Sequence, residues 1–186
     1  TKTKYNVRTY FRNGSWGSLE VSSEETISIH MASTALHYGQ QAFEGLKAFK
    51  GKDGKVRVFR WEENVKRMQR SAEAILMEPI PTELFKKALM KVIKLNADYI
   101  PPYGNGSSLY IRPLLCGVGP QVGVAPSKDY LFMIFVTPVG PYFKEGFNPV
   151  KIEIVRDFDR AAPMGTGHVK VGGNYAASLR AGVRAH

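Results

Sequence analysis

At 186 residues, 44% hydrophobic and 23% charged, the chain is long enough to bury a sizeable core in one or two domains. No run approaches the roughly 18–20 apolar residues of a membrane-spanning helix, and the opening residues are too polar and mixed in charge for a secretory signal, so a cytoplasmic location is expected. The net charge of +10 is spread along the chain with acids beside the bases, as in Trp61-Glu62-Glu63-Asn64-Val65-Lys66-Arg67, which argues against a nucleic-acid partner and suits a protein that handles phosphates and carboxylates.

Residues 4–12 alternate tyrosine, valine and phenylalanine with polar residues, which suits a strand. Asn13-Gly14 is a strong turn signal, and residues 15–21 read as the returning strand of a hairpin. A second strand pair is expected over residues 43–50 and 55–61, across the loop Gly51-Lys52-Asp53-Gly54. Two helices follow. In the first, Trp61, Val65, Met68, Ala72 and Ile75 recur at helical spacing, and Glu78-Pro79 is its expected end. In the second, Phe85, Leu89, Val92 and Ile93 form the apolar stripe, with Thr82 as the expected cap and Glu83 in the first turn. Both stripes read as core-facing surfaces without chemistry.

The apolar runs 107–117 and 129–140, rich in β-branched and aromatic residues, predict buried strands. The single cysteine, Cys116, lies within the first of them and is expected to be a buried, inert thiol. Residues 150–155, just after Pro149, predict a further strand. A loop rich in small residues follows Asp157, and Gly172-Gly173-Asn174 leads into a helix expected over 175–184. That helix has no stop signal before Ala185-His186 and the chain opens on Thr1, so a piece of a longer protein is expected.

Three segments carry candidate chemistry. Lys170, in Gly165-Thr166-Gly167-His168-Val169-Lys170-Val171-Gly172-Gly173-Asn174-Tyr175, is either a solvated loop lysine or an amine given room by glycines to attack a carbonyl. Arg60, in Val58-Phe59-Arg60, falls at a strand-to-helix junction, where it can grip a phosphate or simply pair with Glu63. Arg112, in Tyr110-Ile111-Arg112-Pro113, lies in a predicted buried strand and must meet a carboxylate, from the protein or from a ligand. No metal site is expected.

These segments, in this order and together with His37-Tyr38-Gly39 and Phe43-Glu44-Gly45-Leu46-Lys47-Ala48, resemble the branched-chain amino-acid aminotransferases, pyridoxal-phosphate enzymes of fold type IV. The resemblance runs from about Tyr5 to the end of the chain. It implies an α+β fold: a small N-terminal sheet-and-helix domain over residues 1–147, then the start, over 148–186, of a larger barrel-like cofactor-binding domain. The implied activity is exchange of an amino group between leucine, isoleucine or valine and 2-oxoglutarate. Within that group, an enzyme of D-amino acids or of aminodeoxychorismate is the alternative. A non-catalytic dimerisation fragment is another.

The resemblance also implies roles. Lys170 would condense with the aldehyde of pyridoxal 5′-phosphate and, once freed, move a proton between the substrate α-carbon and the cofactor C4′. Arg60 would bind the cofactor phosphate, and Tyr175 its phenolic oxygen. Tyr38, Phe43 and Tyr142 would line an apolar pocket, and Tyr110 and Arg112 would handle substrate carboxylates. Val124 would reach the other subunit's pocket in a homodimer. Family members run well past His186, into the part that carries the acidic partner of the pyridine nitrogen. The chain alone is therefore expected to have little or no transaminase activity.

Overall fold

The computed structural model describes residues 2–143, 146 and 148–185. Its centre is an antiparallel pair of strands, Ser108–Gly117 (β7) and Tyr130–Val139 (β8), in register along their full length. These are the two long apolar runs. Most of their residues are buried because both faces of this part of the sheet are covered, which removes the alternation that marks a half-exposed strand.

Asn6–Arg12 (β1) pairs with the outer edge of β8. The chain then reverses at Asn13-Gly14, both in the left-handed region (φ 52° and 77°), the backbone a two-residue hairpin turn requires. The returning strand is two pieces, Ser15–Trp16 (β2) and Glu20–Ser22 (β3). Between the pairs Phe11↔Trp16 and Arg8↔Glu20 the returning side uses one residue more than β1. The hairpin therefore carries a bulge.

The other edge of β7 takes Gln41–Phe43 (β4) and Leu46–Lys50 (β5) in a single register, and Val56–Val58 (β6) completes that side against β5. The break between β4 and β5 falls at Glu44-Gly45, and its cause lies across the ladder. The Glu44 amide donates to the carbonyl of Pro113 at 2.9 Å, but proline has no N–H to return. The full order is β2-β1-β8-β7-β5-β6, with β3 on β1 and β4 on β7.

Trp61–Ala74 (α2) and Thr82–Leu95 (α3) cover one face of the sheet. Val65, Met68, Ala72, Phe85, Ala88, Leu89 and Val92 pack there against Val7, Leu109, Ile111, Leu115, Phe132 and Ile134, all essentially without solvent contact. The short helix Thr34–Tyr38 (α1), which the sequence did not announce, lies against β7. Residues around it cover part of the opposite face, where Cys116, Val118, Leu131 and Met133 meet Ile27, Ile29 and Ala35. Among the described residues no helix is long and apolar enough to cross a membrane.

Four expectations are corrected. α2 stops before Glu78-Pro79: Leu76 takes a left-handed φ of 56°, its amide bonds to Glu73 O, and the Met77 amide reaches back to Ala72 O. This is a Schellman closure with leucine where glycine is usual. Gln40 stabilises it by donating to the Ile75 and Leu76 carbonyls at 3.0 and 3.3 Å. Thr82 is the first helical residue of α3 rather than its cap; Pro81 holds the cap position, and Thr82 Oγ1 accepts from Gln69. Residues 150–155 pair with no strand among the described residues, and Ile152 and Ile154 face solvent. The helix expected over 175–184 is two short ones, Gly172–Ala176 (α4) and Leu179–Ala185 (α5). The expected domain boundary falls at Phe147, outside the described residues.

Candidate active site around Lys170

β4 has one neighbour in the sheet, β7, and its other edge receives the lysine segment. Val171 forms an isolated bridge with Ala42, the Phe43 amide donates to Lys170 O at 3.2 Å, and the Lys170 amide donates to Ser71 Oγ of α2 at 2.9 Å. Two elements, β4 and α2, thus fix the Lys170 backbone. Buried Asn174 fixes the approach to it by donating to the carbonyls of Thr166 (2.7 Å) and Val169 (2.9 Å) and accepting from the Thr166 hydroxyl (2.8 Å).

The Lys170 side chain does not end in bulk water. Its Nζ donates to the Tyr175 hydroxyl at 2.6 Å and lies 4.2 Å from the centroid of Phe43 and 4.6 Å from that of Tyr175. The two rings meet edge to face at 4.8 Å. The geometry leaves the Lys170 amine hydrogen-bonded to a phenol and flanked by two aromatic rings.

Two further groups come from β7. Alternation puts Leu109, Ile111 and Leu115 into the core and Tyr110 and Arg112 on the other face. Arg112 is half-buried rather than sunk in the core. It donates to the Tyr110 hydroxyl through Nη2 (2.9 Å) and Nε (3.2 Å), and its guanidinium lies 4.8 Å from the Phe43 centroid. Among the described residues it pairs with no carboxylate, so of the two partners expected for it the protein one is missing there. Gly45 makes room for this arrangement, since a Cβ there would lie 2.5 Å from the Tyr110 hydroxyl.

A third cation stands on α2, one helical turn before Ser71. Arg67 donates from Nε and Nη2 to the two carboxylate oxygens of Glu44 at 2.6 and 2.7 Å. Its hydrogen bonds to the Glu44 carboxylate, with the charge of that carboxylate, push the Arg67 guanidinium above its ordinary pKa, against the opposing effect of partial burial. Arg67 is tied to the lysine segment through Ser71, whose hydroxyl donates to the Arg67 carbonyl at 2.9 Å and accepts from the Lys170 amide.

The structure thus brings together Lys170, Tyr175, Phe43, Tyr110 and Arg112. It does not bring Arg60 to them. Arg60 is the N-cap of α2, exposed, at a left-handed φ of 50°. Eleven residues separate it from Ser71, about 16 Å along a helix axis, and it pairs neither with Glu63, which bonds Lys66, nor with any member of the cluster. Arg67 is the guanidinium the sequence reading passed over. The available signal was a polar row, Asn64, Arg67 and Ser71, running beside the apolar row Val65, Met68 and Ala72.

Tyr38 and Val124 form a separate cluster. The Tyr38 hydroxyl donates to Val122 O, and both residues line a shallow groove of about 320 Å³ with Gln40, Ile75, Leu76 and Pro126. Tyr142 is exposed and stacks edge to face on Phe143, apart from both groups.

The sequence profile of the family described as "Amino-transferase class IV" matches residues 41–186. The chain belongs to the class IV aminotransferases. A branched-chain-amino-acid aminotransferase of Haemophilus influenzae is 52% identical over 178 residues, 96% of this chain and 52% of that protein. Among solved class IV structures, the branched-chain aminotransferase of Thermoproteus uzoniensis with norvaline superposes with a TM-score of 0.71 at 26% identity, over 96% of this chain and 56% of the other. A T.th. branched-chain aminotransferase with pyridoxamine 5′-phosphate gives 0.71 at 29% identity, over 99% and 56%. This chain therefore spans about half the length of the relatives it matches. Its fold is that of the fold type IV aminotransferases, with the curled antiparallel sheet described above.

Proposed function

We propose that this chain forms part of a pyridoxal 5′-phosphate-dependent aminotransferase that exchanges an amino group between branched-chain L-amino acids and 2-oxoglutarate. The observation that carries the reading is the Lys170 amine bonded to the Tyr175 hydroxyl at the edge of β4. The donor set fits the cofactor: an amine for an aldehyde, a phenol for a phenolate oxygen, and a guanidinium one turn away for a phosphate. When bound, pyridoxal phosphate supplies the aldehyde and the ring that accepts the electron pair of the substrate's α-C–H bond.

The chain's own residues supply position and protons. Lys170 holds the cofactor and, when released, takes the proton from the substrate α-carbon and delivers it to C4′. Tyr175 holds that amine in place and hydrogen-bonds the ring oxygen. Arg67 takes the phosphate in place of Arg60: Nε and Nη2 are committed to Glu44, which leaves Nη1 to an anion. Arg112, steadied by Tyr110, receives the second carboxylate of glutamate or 2-oxoglutarate. Phe43 forms apolar wall beside it, and an apolar pocket with a cation at its edge accepts leucine-like and glutamate side chains alike. Tyr38 and Tyr142 lie apart from this cluster within the chain and would join the pocket wall only in the assembled enzyme, where exposed Val124 meets the pocket of a second copy in a homodimer. Residues 1–147 form the smaller domain, and 148–186 begin the cofactor-binding one.

Incubation with pyridoxal phosphate is expected to give an absorbance band near the visible edge. Lys170→Ala should abolish it. An identical band in Lys170→Ala would overturn the proposal.

A further inference from the structure

Glu44 has no solvent contact, yet it is a carboxylate. Its two oxygens receive four donors: Arg67 Nε on Oε1, and Arg67 Nη2 (2.7 Å), Asn64 Nδ2 (2.8 Å) and the Gly45 amide (3.2 Å) on Oε2. A buried charge held this way is a costly means of filling space, since packed apolar side chains of similar volume serve stability as well or better. It does one thing an apolar residue cannot. It fixes the plane and rotation of the Arg67 guanidinium, whose side chain is otherwise 48% exposed and free to sweep.

We infer that Glu44 is a positioning residue that orients Arg67 toward the phosphate of the cofactor. The inference rests on the reading of Arg67 as the phosphate anchor, and it adds a residue that touches neither cofactor nor substrate. Two effects of Glu44 on an anion oppose each other. Its negative charge offsets that of Arg67 and weakens attraction, whereas its hydrogen bonds hold the fork still. Arg67 is half exposed, so solvent screens the charge effect. Orientation wins, and Glu44 strengthens phosphate binding.

Glutamine cannot take over. With donors arriving at both oxygens, an amide nitrogen at either position faces at least one N–H. Glu44→Gln should therefore release the guanidinium. The readout is the concentration of pyridoxal 5′-phosphate, and separately of phosphate-free pyridoxal, that half-labels Lys170 after borohydride trapping and peptide mass mapping. We expect Glu44→Gln to raise the value for pyridoxal 5′-phosphate about tenfold or more, as loss of an orienting partner does at metal sites, while pyridoxal stays within about twofold. Arg67→Ala should show the same selective loss, and the double variant should bind no worse than Arg67→Ala alone. Asn64→Ala removes one Oε2 donor without uncovering a charge, and should give a smaller loss of the same selectivity even if Glu44→Gln fails to fold.

The outcomes separate. Equal losses for the two compounds in Glu44→Gln and Asn64→Ala, or tighter pyridoxal 5′-phosphate binding, would overturn the positioning role. So would a selective loss in Arg67→Ala that neither of the other variants shares. Unchanged selectivity in Arg67→Ala would remove Arg67 as the anchor and the inference with it. No preference for Lys170 in the unaltered chain would defeat the cofactor site as a whole.

Discussion

Gln40→Ala should be among the most damaging single changes outside the apolar core. The Gln40 side chain joins α1, the end of α2 and the loop before β8. Its Oε1 accepts from the Thr34 hydroxyl (2.7 Å) and the Ser127 amide (3.0 Å), and its Nε2 donates to the carbonyls that close α2. Truncation leaves those carbonyls at a half-exposed helix end, where water replaces the donor. Thr34 and Ser127 are buried, so two donors there lose their acceptor. Each orphaned group costs roughly 1–3 kcal/mol, about 4 kcal/mol for the pair. For a chain of this size that corresponds to a fall in Tm of about 8–16 °C. Urea melts followed by circular dichroism give the first number and calorimetry the second. Thr34→Val adds a check, because it deletes one of the orphans: in the Gln40→Ala background it should cost less than alone, by about 1 kcal/mol. A loss below about 1 kcal/mol for Gln40→Ala, or full additivity with Thr34→Val, would refute the account.

Gly45→Ala should displace the Tyr110 hydroxyl and with it Arg112, while leaving the fold intact because only the tip of a side chain has to move. Urea midpoints should barely change, and glutarate binding measured by calorimetry should weaken about tenfold, equivalent to one lost hydrogen bond to a charged group. Burial pushes the Cys116 thiol up to about 11. The unfolded chain then gives up this proton before the folded one does, so the stability tied to the neutral thiol is full below about pH 8.5 and is lost as pH rises toward 11, a total of about 3 kcal/mol. Cys116→Ala should flatten that part of the stability–pH curve, and a parallel decline in both proteins would contradict the assignment. Asn174→Ala removes three hydrogen bonds from the approach to Lys170. Proteolysis within residues 160–172 should speed up by about tenfold or more while the sheet's urea midpoint holds.

What could be read in the sequence was what local pattern controls. Asn13-Gly14 marked its hairpin because few other pairs accept two left-handed residues, and the runs that became β7 and β8 stood out because both their faces are covered. The stop of α2 was illegible because its cap is tertiary: Leu76 adopts a conformation leucine disfavours, held by a glutamine far back in the chain. The strand expected over residues 150–155 has the right alternation, but a strand also needs a partner, and none lies beside it among the described residues. At the site, Lys170, Tyr175 and Arg112 stood in recognisable motifs. Arg60 attracted the phosphate role through its place at a strand-to-helix junction, whereas Arg67 lies within a helix whose apolar stripe drew the eye.

Phe43 explains how the site tolerates its own charge. Lys170 and Arg112 both approach this one ring, at 4.2 and 4.8 Å from its centroid, and Arg67 is already matched by Glu44. Lys170 and Arg112 thus share one ring, and neither pairs with a carboxylate among the described residues. The π-face of Phe43 stands in for one, at about 0.5–1 kcal/mol per cation at exposed sites. That is enough to hold two flexible side chains in place and too little to compete with an anion, since a hydrogen bond between charged partners contributes roughly 1.5–3 kcal/mol. A carboxylate arriving at Arg112 therefore displaces a weak contact rather than a strong one. A protein carboxylate in the same position would hold Arg112 more firmly and would compete with any incoming anion.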